Sequence, residues 1–175
     1  FTALTVAQCL TFEEGLMLVD ARAKAMKKAC EKEATGLMAV VGLEFSTLEM
    51  LLHEHQLELY PSNYNTPTQI VLGGRIKDLE EHQALFKTAG AKLVKLLKVD
   101  GAFHTPFMEE AQHDLQTAIE QLEFKTPIYD LYQNYTGQKE QNPQTIQDNL
   151  IQQLQATVLW CPTIQAMAYS GITKF

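Results

Sequence analysis

The chain opens on Phe1-Thr-Ala-Leu-Thr-Val, an apolar helical pattern with no capping residue ahead of it, and then enters a longer periodic stretch. Phe12, Leu16, Val19, Ala23, Met26 and Cys30 recur every three or four residues, which is the spacing of one helix face. The pattern predicts a helix over 12–30 with this stripe against the core and Arg22 at the stripe's edge. From Gly36 the period shortens. Leu37-Met-Ala-Val-Val41 reads as a strand, and Ser46-Thr-Leu-Glu49 reads as a capping box opening a helix to about His55. Two further strands are expected, 57–63 and 69–73, bracketing a turn at Tyr64-Asn-Thr-Pro67. A helix over 76–89 stops at Gly90, and a last strand covers 92–98.

The span 36–99 therefore reads βαββαβ, the order of a ferredoxin-like unit. Glycines at both of its boundaries, Gly36 and Gly101, suit a unit inserted into a larger domain. Beyond it, Thr105 and Pro106 announce a helix whose Phe107, Ala111, Leu115, Ala118 and Leu122 face inward. Pro127 to Gln133 is a strand candidate, followed by a turn at Tyr135-Thr-Gly137. Asn142-Pro143 starts a helix to about Ala156, the final helix begins near Pro162, and residues 172–175 look like a strand being entered.

Composition narrows the function classes. With 175 residues, 46% hydrophobic and 20% charged, the chain can bury an ordinary core as one domain or two small subdomains. A formal net charge of −7 offers nucleic acid no general attraction. The one basic run, Arg22, Lys24, Lys27, Lys28 and Lys32, reads as a solvated helix face. No apolar stretch approaches the roughly 20 residues that span a bilayer, so a cytoplasmic protein without membrane partners is expected. Cys9, Cys30 and Cys161 are odd in number and lack CxxC spacing, which predicts reduced thiols and no metal site.

Few residues carry chemistry. His53, His55, His82 and His113 fall on predicted helices among charged neighbours. His104 stands apart in the loop Gly101-Ala-Phe-His-Thr-Pro106, where a neutral imidazole suits a general base, although spacing alone favours a structural loop role. Arg22 is open to two readings, a planar fork for a carboxylate or a stem snorkelling over apolar surface. The only serines are Ser46, Ser62 and Ser170, and none sits in a GxSxG elbow.

Together these residues resemble the malonyl-CoA:acyl-carrier-protein transacylase family over essentially the whole chain. Phe1-Thr-Ala-Leu looks like the helix after the family's GHSxGE elbow. Leu18-Val-Asp-Ala-Arg22-Ala-Lys-Ala-Met26 is similar to its RxxxM helix, whose arginine pairs with the malonyl carboxylate. Gly36-Leu-Met-Ala-Val-Val-Gly42 resembles its first small-subdomain strand, and Asn63-Tyr-Asn-Thr-Pro-Thr-Gln69 its NxNxPxQ turn. Gly101-Ala-Phe-His104-Thr-Pro-Phe-Met108 resembles the segment bearing its general base.

The resemblance implies an α/β fold. A partial α/β-hydrolase-like large subdomain (1–35 and 100–175) would carry an inserted ferredoxin-like small subdomain (36–99). It implies His104 as catalytic base and Arg22, Phe103 and Asn65 as substrate-binding residues. The reaction would be ping-pong malonyl transfer from coenzyme A to an acyl carrier protein, in fatty acid or polyketide synthesis. Coenzyme A thioester enters as substrate, with no further cofactor, and the complete protein is expected to be a monomer. Phe103 implies malonyl over methylmalonyl. The serine elbow, the oxyanion-hole glutamine and the C-terminal GPG segment that orients the histidine have no counterpart here, so the isolated chain is expected to be inactive. The competing readings are an acyl hydrolase or other acyltransferase of the same fold, against which Arg22 argues, and a non-catalytic carrier-protein-binding fragment. In that last reading Lys24, Lys27 and Lys28 would meet an acidic partner.

Overall fold

The computed structural model describes residues 1–174 and shows an α/β protein built around one four-stranded antiparallel sheet and two apolar cores. A short α1 (Thr2–Val6) leads to α2 (Phe12–Cys30). The start of α2 is fixed by a capping box: the Glu14 backbone N–H donates to Thr11 Oγ1 (3.2 Å) and the Thr11 N–H donates to Glu14 Oε2 (2.8 Å), satisfying two otherwise orphaned donors.

The buried face of α2 overlaps the predicted stripe only at its C-terminal end, where Met26 and Cys30 pack against the core. Phe12 and Leu16 are 67% and 58% exposed and Val19 is also largely exposed, whereas Gly15, Leu18, Ala25 and Ala29 are buried. Those four positions belong to a row 15-18-22-25-29, so Arg22 stands in the middle of the inward face rather than at an edge. Small side chains at 25 and 29 let α2 lie close against α6 (Glu109–Ile119), whose own buried residues are Ala111, Leu115 and Ile119, and Gly15 lets its first half meet Thr5 of α1. The spacing alone could not choose between two faces that are both apolar.

Strands β1 (Thr35–Val41), β2 (Tyr60–Thr66), β3 (Gln69–Arg75) and β4 (Leu93–Leu96) form the sheet in the order β2-β3-β1-β4. Register runs from Thr35 opposite Arg75 to Val41 opposite Gln69, and β4 pairs Met38 with Leu96. Helices α3 (Phe45–Glu54), α4 (Ile76–Glu81) and α5 (Gln83–Thr88) complete this unit. Met38, Val40, Leu48, Ile70, Leu72, Leu79 and Phe86 make its core. A second core joins Leu4, Leu18, Met108, Leu115, Ile119, Ile146 and Leu154 from outside the sheet.

Several predicted boundaries shift. Helix α3 begins at Phe45 behind Glu44, with no side-chain cap, so Ser46 forms no capping box. Strand β2 runs through Tyr64-Asn-Thr, and the reversal falls at Pro67-Thr68. The helix expected over 76–89 breaks at His82, whose ψ is near zero, and Gly90 takes a φ of 107° that a side chain resists. Thr105 does not cap. Its hydroxyl donates to the Ala102 carbonyl (2.5 Å), and a 3-10 turn over Pro106–Met108 precedes α6.

Downstream, β5 is only Leu131–Gln133, paired with β6 (Gln138–Glu140) around Gly137. Helix α7 (Pro143–Gln152) starts on the predicted Asn142 cap but ends short of Ala156, and α8 covers Trp160–Tyr169. Residues 172–174 form no strand, and Phe175 lies outside the described residues.

Candidate active site

The loop from Asp100 to Thr105 leaves the sheet unit and crosses the inner end of α2. Its backbone is pinned at three points. The Ala102 N–H donates to Thr35 Oγ1 (3.1 Å), the Phe103 carbonyl accepts from Ser62 Oγ (2.7 Å), and the Ala102 carbonyl accepts from Thr105 Oγ1. Gly73 of β3 permits this close approach, since a Cβ there would lie 2.7 Å from Thr105 Cγ2 and 3.3 Å from Ala102 Cβ. Between these pins His104 has φ of 57°. A left-handed backbone costs a non-glycine residue about 1–2 kcal/mol, and the surrounding bonds must hold it there.

The imidazole is half-buried, and its Nδ1 lies 2.8 Å from the Gln153 carbonyl just beyond α7. A carbonyl oxygen only accepts, so Nδ1 carries the hydrogen and Nε2 keeps its lone pair. Burial, first, and then the nearby Arg22 charge push the imidazole's pKa below the ordinary 6.5, against the opposing pull of the Gln153 and Ala156 carbonyls. The ring is therefore neutral at neutral pH, with Nε2 free to take a proton. The resemblance assigned orientation of this histidine to a segment without counterpart in the sequence, but here a carbonyl of the chain's own α7 end orients it. A main-chain carbonyl leaves no mark in the residue type, so Gln153 had no signal to be found by.

Arg22 reaches into a cavity of about 550 Å³ together with Val19, Ala23, Met26, Cys30 and Phe103. Burial lowers its pKa, yet the guanidinium stays cationic at any physiological pH. Its Nε is fully buried without a hydrogen-bond partner in the protein. Leaving a buried donor unmet costs roughly 1–3 kcal/mol, more for a charged group, so the position is held against its own cost.

The structure thus brings Arg22 and Phe103 onto one cavity, with His104 next along the loop and within the field of Arg22. Asn65 is not brought there. It occupies an irregular position of β2, where register slips between Tyr64 and Thr66, and it does not line the cavity. The lysine group is largely neutralised: Lys24 pairs with Asp20 (2.6 Å), and Lys28 pairs with Glu110 (3.0 Å) and Asp114 (3.1 Å). Only Lys27 joins the cavity rim, beside Glu31 and Asp100. Among the described residues there is no group of three His, Cys, Asp or Glu side chains placed to hold a metal ion, and no helix long and apolar enough to cross a membrane.

The sequence pattern of the acyl transferase domain matches residues 1–174. The chain belongs to the acyl transferase family. Within that family it is 28% identical over its whole length to a malonyl CoA-acyl carrier protein transacylase of Staphylococcus aureus strain MRSA252, of which it spans 58%. The structure of the Coxiella burnetii malonyl CoA-acyl carrier protein transacylase superimposes with a TM-score of 0.91 at 28% identity, over 97% of this chain and 54% of that one. A type II polyketide synthase acyl carrier protein in complex with its malonyl-transacylase gives a TM-score of 0.90 at 27% identity, over 97% of this chain and 55% of the other. This acyl transferase chain accordingly covers little more than half the length of the relatives it matches.

Proposed function

We propose that the chain forms the part of a malonyl-CoA:acyl-carrier-protein transacylase that supplies the general base, His104, and the acyl-carboxylate clamp, Arg22. The observation that carries this reading is that Arg22 lines the same cavity as Phe103, one residue from a neutral imidazole. A guanidinium on the wall of a largely apolar cavity, with Nε unbonded within the protein, suits a ligand that brings its own anion. Malonyl does so, whereas acetyl would leave the charge unmet.

In this reading the fold has a large subdomain of α/β-hydrolase type, residues 1–35 and 100–175, carrying a ferredoxin-like insert over 36–99. The two separate cores and the βαββαβ order with strand arrangement β2-β3-β1-β4 support that division. The nucleophile is a serine beyond these 175 residues. Ser46 lies in the first turn of α3, Ser62 is buried with its hydroxyl on the Phe103 carbonyl, and Ser170 donates to the Met167 carbonyl.

His104 Nε2 takes the proton of the serine hydroxyl as the oxygen bonds to the malonyl carbonyl. The carbon–sulfur bond to coenzyme A then breaks and the thiolate leaves with that proton. In the second half the phosphopantetheine thiol of the carrier protein gives its proton to His104 and attacks the seryl ester, and serine leaves reprotonated. A base so placed contributes roughly 10²–10⁴ in rate. Phe103 crowds the carbon between the two carbonyl groups, favouring malonyl over methylmalonyl, and a substrate role for Asn65 rests on the NxNxPxQ resemblance.

The test uses the complete polypeptide that carries this segment, assayed for malonyl and acetyl transfer from coenzyme A to a carrier protein. A charged hydrogen bond contributes roughly 1.5–3 kcal/mol. Arg22→Ala should therefore cost malonyl transfer on the order of 10- to 100-fold more than acetyl transfer, and equal losses would remove the carboxylate role. The 175-residue chain alone should transfer nothing; measurable transfer by it would refute an external nucleophile.

A further inference from the structure

We propose that Ser62 is a positioning residue for His104, fixing which imidazole nitrogen carries the hydrogen by tying the loop before the ring and the segment after α7 to one strand. The inference rests on the reading of His104 as a base, and its evidence is geometric.

Ser62 sits on β2 with no exposed surface. Its hydroxyl has one hydrogen, and the carbonyl of Phe103, which can only accept, takes it at 2.7 Å; the Asn63 amide oxygen lies 3.0 Å from the same Oγ. That Phe103 carbonyl belongs to the peptide unit joining His104 to the chain, so the bond fixes the entry to a residue held at φ of 57°. Ser62 also acts through its backbone. Its own carbonyl accepts from the Val158 N–H at 2.9 Å, and the Val158 carbonyl accepts from the Tyr64 N–H at 2.9 Å, so residues 157–159 run beside β2 as a short parallel bridge at Asn63. Thr157 Oγ1 adds a bond to the Pro61 carbonyl (2.7 Å).

The bridged segment follows Gln153 by only a few residues, and Gln153 supplies the carbonyl that receives His104 Nδ1–H. Both sides of that catalytic hydrogen bond are therefore anchored on one residue, the ring's side through Oγ and the acceptor's side through the Ser62 carbonyl. Removing the hydroxyl frees only the ring's side. The distance from Nδ1 to the Gln153 carbonyl then ceases to be set, and the hydrogen is free to move to Nε2, the nitrogen the mechanism needs unprotonated.

The experiment is nitrogen-15 NMR of the imidazole groups in the 175-residue chain, with His53, His55, His82 and His113 as internal controls. The unsubstituted chain should show His104 as a single tautomer with the hydrogen on Nδ1. Ser62→Ala should convert it to a mixture in which the Nε2–H form rises to a third or more, with the other four histidines unmoved. Ser62→Thr, which keeps the hydroxyl, should restore the single tautomer. Thr157→Val, which removes a neighbouring bond to the same strand, should leave His104 unchanged. The proposal is overturned if Ser62→Ala keeps the wild-type His104 shifts, or if Thr157→Val shifts them as much. Should Ser62→Ala fail to fold, the unsubstituted chain decides: a slowly exchanging Ser62 hydroxyl proton close to the His104 amide supports the proposal, and the lack of one overturns it. None of these readouts involves acyl transfer, so this proposal and the transacylase reading fail separately.

Discussion

Gly73→Ala probes how tightly the sheet holds the loop that carries His104. Gly73 lies in the middle of β3, opposite Leu37 on β1 and Tyr60 on β2, and its φ is not in the left-handed region. Conformation alone therefore favours alanine, by roughly 0.4–1 kcal/mol from the stiffer unfolded chain. Packing opposes it. The new Cβ would meet Thr105 Cγ2 at 2.7 Å, Leu37 Cδ2 at 3.1 Å and Ala102 Cβ at 3.3 Å. Thr105 must retreat by roughly half an ångström or more in a core that has no slack. Overpacking of this kind costs about 1–3 kcal/mol, so the variant should be net destabilised by about 1–2 kcal/mol in urea unfolding. A displacement near 1 Å also costs a catalytic group up to roughly 100-fold in rate, which the complete enzyme should show. Thr105→Ser removes the offending methyl and keeps the hydroxyl bond to the Ala102 carbonyl. The double variant should thus recover most of the loss, a coupling of about 1 kcal/mol. Additive effects, or a stabilised Gly73→Ala, would refute the claim that Thr105 rests on this glycine.

Thr11→Ala removes one half of the capping box at α2 and should lower stability by about 1 kcal/mol in the same assay. Asn142→Ala, which deletes the acceptor for the Thr145 N–H, should cost a similar amount. For His104 the folded pKa lies below the unfolded 6.5, so the unfolded chain binds the proton more readily. Stability should then be flat above pH 6.5 and decline as pH falls from there toward the lowered native value. His104→Gln should flatten that part of a urea-midpoint profile measured between pH 8 and 5. Leu18→Ala, at a position with no exposed surface between α2 and α6, should cost about 2–5 kcal/mol by calorimetry.

The order of elements was legible because each strand carries its own apolar run and each turn its own glycine, asparagine or proline. Boundaries were less so. Ser46-Thr-Leu-Glu49 has the letters of a capping box, but Phe45 already belongs to the helix, and the box that does form is at Thr11 and Glu14. Helix α2 shows the deeper difficulty. Phe12, Leu16 and Met17 are exposed while Gly15, Ala25 and Ala29 are buried beside Leu18, because α1 lies close to the first half of the helix and α6 to the second. A reading that weights apolar residues by size picks a stripe that overlaps the buried face only in part, and with it puts Arg22 at a rim. The corrected row 15-18-22-25-29 changes what the arginine means. A guanidinium at an edge satisfies itself in water and needs no ligand to explain it. One in a row of small and aliphatic residues, with Nε unpaired, carries a desolvation cost that packing alone does not offset. On the proposed reading a carboxylate arriving from the cavity side would meet that cost, so Arg22 is the position at which the reading is most directly tested.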